Sequence, residues 1–230
     1  MSDHSYDELD DAGVYAQLAR LGKALSNPLR IRLLDLLEQG EHTVEELAAA
    51  ARAPVKNTSA QLQQLRAVQL VATRREGVRI HYRLADPSVT GFLAGFERFA
   101  GERLTEMRAE LEALYAKPGG MERIGIAELE RRMREGHVVL VDVRPATEYA
   151  RGHLPGAISI PVDELRRRID ELPADATVVA YCEGPYCFAS GDAVAILAAA
   201  GRDGQRVDGG LAGWVRAGRA LELSGGGAGG

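Results

Sequence analysis

The chain of 230 residues is short of cysteine: Cys182 and Cys187 are its only two, and both come late. Such usage does not suit a disulfide-stapled secreted domain, and a cytoplasmic location is the expectation. Apolar runs nowhere approach the ~20 residues that a membrane span requires, so no membrane partner is expected. The start, Met1-Ser2-Asp3-His4, is acidic and lacks an apolar core, which does not read as a secretion signal. Histidine is sparse and scattered. His42 and His81 stand alone, and His4 falls in an end expected to be flexible. With no cysteine before position 182 and no histidine in 89–116, no cluster offers the three or four soft ligands of a zinc or arsenite site. The two late cysteines stay open as an arsenite alternative, but no metal and no cofactor are expected.

What is present is globular composition, 46% hydrophobic and 27% charged. The net charge of −5 argues, taken alone, against nucleic acid. Its distribution reverses that. Residues 52–83 hold Arg52, Lys56, Arg66, Arg74, Arg75, Arg79 and Arg83 against a single acid, Glu76. The window is +6, which leaves −11 to the remainder. A basic island in an acidic chain attracts a polyanion locally while the rest repels it.

Periodicity predicts helices across roughly 15–51. Asn27 caps one of them, and Pro28 suits its first helical position. Leu29, Leu33, Leu36 and Leu37 make its apolar stripe, and Gly40 stops it. Thr43-Val44-Glu45-Glu46 is a capping box for the next helix, which runs to about Ala51. Arg52-Ala53-Pro54 breaks the chain. A further helix over about 55–67 turns Leu62 and Leu65 inward and leaves Lys56, Asn57, Ser59, Gln61 and Gln63 outside. Residues 71–75 and 78–84, about a turn at Glu76-Gly77, read as a β-hairpin. Two short helices, a break and a basic hairpin make a winged helix-turn-helix, mainly α with a β-hairpin wing. The second helix would enter the major groove and the hairpin would lie along the backbone of double-stranded DNA. Lys and Arg suit phosphates, whereas Asn, Gln and Ser suit base edges. The DNA-contact candidates are therefore Lys56, Asn57, Ser59, Gln61, Gln63, Arg74, Arg75 and Arg79.

Leu25-Ser26-Asn27-Pro28-Leu29-Arg30, Thr58-Ser59-Ala60-Gln61-Leu62, and Arg74-Arg75-Glu76-Gly77 followed by Tyr82 resemble the ArsR-type winged-helix repressors. The resemblance covers roughly 15–115. It implies a homodimer that binds operator DNA and releases it on sensing a ligand. Gln61 stands where that family often has His, and Gln69 where it often has Gly, so sequence preference does not carry over. After Pro87, Leu93, Phe96, Ala100, Leu104, Met107, Leu111 and Leu114 recur at spacings of three and four. That predicts one long helix with an apolar seam. The seam packs on its own domain or forms a dimer interface, and the resemblance favours the dimer.

Lys117-Pro118-Gly119-Gly120 is a linker signal. Beyond it, helix 126–134 precedes strand 138–143, helix 162–171 precedes strand 177–181, and helix 189–200 precedes a short segment around Arg206-Val207. Buried strands alternating with helices predict an α/β domain with a central parallel sheet. The expected domains are a DNA-binding and dimerisation domain at 1–116, a linker at 117–121, an α/β domain at 122–223 and a disordered Gly-rich tail at 224–230.

Cys182 follows the strand 177–181, and a helix begins seven residues later. In a strand-loop-helix layout, backbone N–H groups and a helix N-terminus converge on an anion and favour a thiolate. A buried structural cysteine is the bland alternative. Asp142-Val143-Arg144, Glu148-Tyr149, Gly152-His153-Leu154-Pro155-Gly156-Ala157-Ile158, Tyr181-Cys182, Asp208-Gly209-Gly210 and Trp214 resemble, in order, a rhodanese homology domain over about 120–222. That resemblance implies a sulfane-sulfur carrier at Cys182, with a loop of Glu183, Gly184, Pro185, Tyr186 and Cys187 ending at Phe188. Asp142, Arg144, Glu148, His153 and Trp214 fall at the pattern's structural positions, His153 as a hydrogen-bonded histidine. The loop has no Lys or Arg, whereas thiosulfate-using rhodaneses commonly place basic residues there. Glu183 also opposes a dianionic donor. Phe188 stands where phosphatases and arsenate reductases of similar layout need Arg. Pro185 removes one N–H from the cradle. Cys187 is either a small apolar residue at the next helix or a resolving thiol for Cys182.

The reading that joins the halves is a transcription regulator that senses reactive sulfur or redox state at Cys182, with polysulfide or persulfide as sulfur donor. A sulfurtransferase with an accessory DNA-binding domain is the alternative, with weak thiosulfate activity.

Overall fold

The structure, a computed structural model, describes residues 11–117 and 122–223. The chain gathers into two compact units, Met1–Val89 and Thr90–Gly230. The expected linker positions 118–121 and the tail 224–230 lie outside the described residues, as does His4.

In the first unit, α1 spans Ala12–Leu25, α2 Pro28–Leu37, β1 His42–Thr43, α3 Val44–Ala50, α4 Val55–Ala67, β2 Val71–Glu76 and β3 Arg79–Leu84. The local chemistry behind these starts is visible. Asn27 Oδ1 accepts from the Arg30 amide at 3.2 Å, and Pro28 opens α2 where its missing N–H costs nothing. The capping box closes both ways at α3. The Glu46 amide donates to Thr43 Oγ1 at 3.3 Å, and the Thr43 amide donates to Glu46 Oε2 at 2.8 Å. Leu33, Leu34, Leu47, Leu62 and Leu65 are fully removed from water. Each contributes roughly 1.5–3 kcal/mol by burial.

The wing is a three-stranded antiparallel sheet in the order β1-β3-β2. The two-residue β1, which pairs His42 with Tyr82, is too short to leave a periodic signal. The hairpin closes at Glu76 opposite Arg79, so its turn is Gly77-Val78, one residue later than expected. Gly77 takes φ +60° at the first central position, where a side chain would be strained.

α5 (Pro87–Arg103) and α6 (Thr105–Tyr115) correct the expected single helix. It breaks at Leu104, which is extended at φ −92° and ψ 111°. Gly91, Gly95 and Gly101 weaken α5 from within, and Leu104, half exposed, gains little by staying helical. From Thr90 onward these helices group with the second unit, not with the first.

The second unit continues with β4 (Arg123–Ile124), α7 (Ile126–Glu135), β5 (Val138–Asp142), α8 (Ala146–Tyr149) and β6 (Ile158–Ser159). Then come α9 (Val162–Arg168) with a 3-10 turn at Ile169–Glu171, β7 (Thr177–Tyr181), α10 (Ala189–Ala199), β8 (Gly204–Val207) and α11 (Gly210–Arg216). The strands form a parallel sheet in the order β4-β8-β7-β5-β6. Alternation along β7 feeds two cores. Val179 and Tyr181 join Leu140, Leu154 and Trp214, whereas Val178, Ala180 and Cys182 join Val141, Ile160 and Leu197. Parallel strands end at one edge of the sheet, and Cys182 leaves β7 at that edge. Among the described residues no helix is long and apolar enough to cross a membrane, and no group of three His, Cys, Asp or Glu is placed to hold a metal.

Candidate functional site

The nucleic-acid candidates divide by exposure. Lys56, Asn57 and Gln63 on α4 are exposed, and Ser59 and Gln61 are half-buried. Arg30 Nη1 donates to Gln61 Oε1 at 2.7 Å, and Gln61 Nε2 donates to Asn57 Oδ1 at 3.1 Å. Arg30 also binds the carbonyls of Lys23 and Ala24 at the end of α1. Gln63 Nε2 donates to the Tyr82 hydroxyl on β3 at 3.0 Å. α4 is thus tied to α2 on one flank and to the wing on the other. Arg30 escaped the sequence reading as an organiser; its place three residues after a cap was the available signal.

On the wing, Arg74 pairs with Glu41 at 2.9 Å and with Glu76 at 2.8 Å. Arg83 lies 3.7 Å from Glu41, and Arg75 Nε donates to the Gly77 carbonyl. Glu41 lies outside the 52–83 window, so folding adds an acid to the basic island. Exposed pairs of this kind are worth about 0–1 kcal/mol, which leaves phosphate a ready competitor for Arg74. Arg79 is also exposed.

In the second unit the geometry centres on Cys182, which is 1% exposed. Its Sγ donates to the Cys187 carbonyl at 3.0 Å and lies 3.3 Å from Ser190 Oγ. The loop folds back through the Cys187 amide, which donates to the Gly184 carbonyl. The start of α11 closes it: Leu211 and Ala212 donate their amides to the carbonyls of Cys182 and Glu183 at 2.9 and 3.0 Å. Gly210 makes this approach possible. It sits at φ +57°, and a Cβ there would meet the Cys182 carbonyl at 2.6 Å. Glu183 and Pro185 are half-buried, Gly184 is buried and Tyr186 is exposed. Phe188 lies against Gly191, where a Cβ would stand 2.6 Å from the ring.

These contacts set the chemistry of the two thiols. Cys182 is acidified to about 7, foremost by the Cys187 thiol, then by the Ser190 hydroxyl and amide and the positive charge of Arg206, all against the opposing effect of burial. Cys187 is pushed up by the neighbouring Cys182 sulfur and by its own burial. The two thiols are therefore unlike: one is acidified and the other holds its proton more firmly. Both are free thiols. The spacing that left Cys187 ambiguous in sequence brings it beside Cys182. Ser190 was missed, although a hydroxyl in the first turn of the helix after the loop was its signal.

Arg206 was missed as well. On β8 its Cα faces Ala180 of β7, so its side chain shares the sheet face of Ala180 and Cys182. It is 1% exposed. Its guanidinium lies 5.4 Å from the centroid of the Phe188 ring and 5.9 Å from that of Tyr115 on α6. Arg123 also stacks on Tyr115, and Lys117 on Phe188. The loop has no Lys or Arg of its own, and a guanidinium from another strand lies at its end.

The remaining motif residues build the frame. Arg144 pairs with Asp142 at 2.7 Å, both buried, and donates to the Gly152 carbonyl. His153 Nδ1 lies 3.0 Å from the Tyr149 carbonyl, and its ring stacks on Tyr149. Glu148 pairs with Arg151, and Trp214 Nε1 donates to the Ala220 carbonyl.

The chain matches the Rhodanese-like domain family over residues 126–217 and the bacterial regulatory protein arsR family over residues 27–73. It is 44% identical over 207 residues to the HTH-type transcriptional regulator Rv0324 of Mycobacterium tuberculosis, covering 90% of this chain and 91% of that one. A sulfurtransferase of Allochromatium vinosum is 42% identical over 45 residues, 20% of this chain and 42% of that one. The solution structure of a homodimeric winged helix-turn-helix DNA-binding domain from Mycobacterium bovis, a possible ArsR-family regulator, is 40% identical. It covers 46% of this chain and 93% of that fragment, with a TM-score of 0.39. With an arsR-family match preceding a rhodanese-like match, and a transcriptional regulator aligned along nearly the whole length, the chain belongs to the HTH-type transcriptional regulators and joins an ArsR-family winged helix to a rhodanese-like domain.

Proposed function

We propose that this DNA-binding regulator reads reactive sulfur through Cys182. The observation that carries the reading is the acidified Cys182 thiol beside the protonated Cys187 thiol and the Ser190 hydroxyl. The thiolate attacks the outer sulfur of a persulfide, RS–SH. A bond forms between Cys182 Sγ and that sulfur, the donor S–S bond breaks, and its electron pair leaves as RS⁻. The Cys182 persulfide then ionises, giving its proton to solvent. Cys187 is the resolving thiol: its sulfur bonds to Cys182 Sγ, the outer sulfur departs with the electron pair, and the Cys187 proton leaves with it as HS⁻. The disulfide forms with no further oxidant, because the sulfane sulfur is the group reduced.

The output is a change in affinity for operator DNA, contacted by α4 through Lys56, Asn57, Ser59, Gln61 and Gln63 and by the wing through Arg74, Arg75 and Arg79. A cytoplasmic homodimer fits this role. Each unit leaves an apolar helix face uncovered: Val14 and Leu18 on α1 are 63% and 61% exposed, and Phe99 on α5 is 60% exposed.

The sulfurtransferase reading is favoured by the same acid thiol and by the 45-residue match to a sulfurtransferase. Glu183 opposes a dianionic donor, so turnover of thiosulfate is expected to be slow. Operator binding measured with and without polysulfide, beside steady-state thiosulfate and cyanide turnover, separates the two. A polysulfide response that vanishes in Cys182→Ser supports the sensor. Identical responses in wild type and Cys182→Ser overturn it, and sustained turnover without a DNA response puts the enzyme first.

A further inference from the structure

We propose that Arg206 is the buried counter-charge for the sulfur anion on Cys182, a positioning residue for the thiolate and for the persulfide that replaces it. The inference rests on the reading of Cys182 as the reactive sulfur, and it adds the charge that keeps that sulfur anionic inside the protein.

Arg206 is 99% withdrawn from water, judged from its 1% exposure, yet its Nε and Nη1 have no hydrogen-bond partner among the described residues. A buried guanidinium is costly unless an anion answers it. The register of the sheet points to that anion. Arg206 faces Ala180 across β8 and β7, and Cys182, two residues further on, lies on the same face. The guanidinium plane also reaches the end of the loop at Phe188, 5.4 Å away. The carboxylate within the loop, Glu183, acts on Cys187 in the opposite sense, raising it further. Lys117 lies over the same Phe188 ring, 5.4 Å from its centroid. Cys187 and Ser190 complete the groups that face the sulfur.

The loop itself presents carbonyl oxygen to Cys182, not a cation. A persulfide moves the negative charge outward by one S–S bond, away from the Ser190 donors. A guanidinium with two nitrogens that have no hydrogen-bond partner, Nε and Nη1, is suited to follow it, since its donors spread over a planar fork. Lys at the same position would keep the charge but present it as a point.

The experiment follows alkylation of Cys182 by iodoacetamide against pH, resolved by mass spectrometry, in wild type, Arg206→Gln and Arg206→Lys. Arg206→Gln is expected to move the midpoint up by about one pH unit and to slow alkylation at pH 7 roughly fivefold. Arg206→Lys is expected to restore most of the rate, which a purely structural role would not require. An unchanged midpoint in folded Arg206→Gln overturns the proposal. Should that variant not fold, Arg206→Met, which keeps the apolar stem without the charge, takes its place. A midpoint raised by about one unit supports the proposal, and an unchanged one overturns it. Sulfur uptake from polysulfide is recorded in parallel. A wild type that alkylates with the expected midpoint but takes up no sulfur overturns the sensor reading and leaves the role of Arg206 supported.

Discussion

At the scale of single residues, burial and hydrogen bonding divide the two cysteines into unequal partners. Cys182 is acidified and Cys187 is pushed the other way, so alkylation of Cys182 is expected to rise through a midpoint near pH 7 while Cys187 stays slow across pH 6–8. Mass spectrometry of labelled peptides checks this, and faster labelling of Cys187 would contradict it. The sign for stability follows the same direction. A depressed thiol value favours the fold above the ordinary thiol range, and that contribution is lost as pH falls through about 7. Ser190→Ala is expected to raise the Cys182 midpoint by about one unit, since a hydrogen bond to a charged group is worth roughly 1.5–3 kcal/mol at most. The frame is less forgiving. Arg144→Met strands a fully buried Asp142 carboxylate, and an equilibrium denaturation curve is expected to show a loss of about 3–5 kcal/mol.

At the scale of elements, the closure of the Cys182 loop by α11 makes Gly210 a sensitive position. Gly210→Ala drives a Cβ into backbone, not into a movable side chain, and at a left-handed φ. A loss above about 1 kcal/mol in denaturation, with altered Cys182 labelling, is the expected result. The same loop shows what sequence made legible. Asn27-Pro28, the capping box at Thr43 and the strand 177–181 were readable because their signals are local: a side chain meets a backbone amide within three residues, or apolar residues run unbroken. The two-residue strands β1, β4 and β6 were not readable, because pairing with a distant strand creates them. The break at Leu104 was hidden because the apolar spacing continues across it. Cys182 stood out from motif order and Cys187 only as one of two readings, whereas Ser190 comes beside the sulfur through the turn into α10 and Arg206 shares its sheet face only through the register of β8 on β7.

At the scale of the whole molecule, charge is partitioned, and binding of DNA is expected to depend steeply on salt, with log affinity falling by about 0.9 per phosphate contact for each log unit of salt. Replacing Arg74 and Arg75 with Ala is expected to weaken binding to all duplexes alike and to flatten that slope, whereas Gln61→Ala is expected to alter sequence preference. Titrations at several salt concentrations decide it, and unaltered operator affinity in the Arg74/Arg75 variant would contradict the placement of the wing. Polysulfide is expected to shift operator affinity by at least about fivefold, the low end of common couplings, and Cys182→Ser to abolish that shift. One contact gives this a reverse side. The guanidinium of Arg206 leans both on Phe188, at the end of the sulfur loop, and on Tyr115, at the end of α6. If that cation answers the sulfur anion as proposed, whatever holds α6 would also bear on the charge at Cys182. If a persulfide on Cys182 shifts operator affinity as proposed, thermodynamic reciprocity requires operator DNA to shift the stability of that persulfide by the same factor. On that expectation the promoter would be an effector of the thiol, and a regulator seated on DNA would carry a different sulfur threshold from one free in solution.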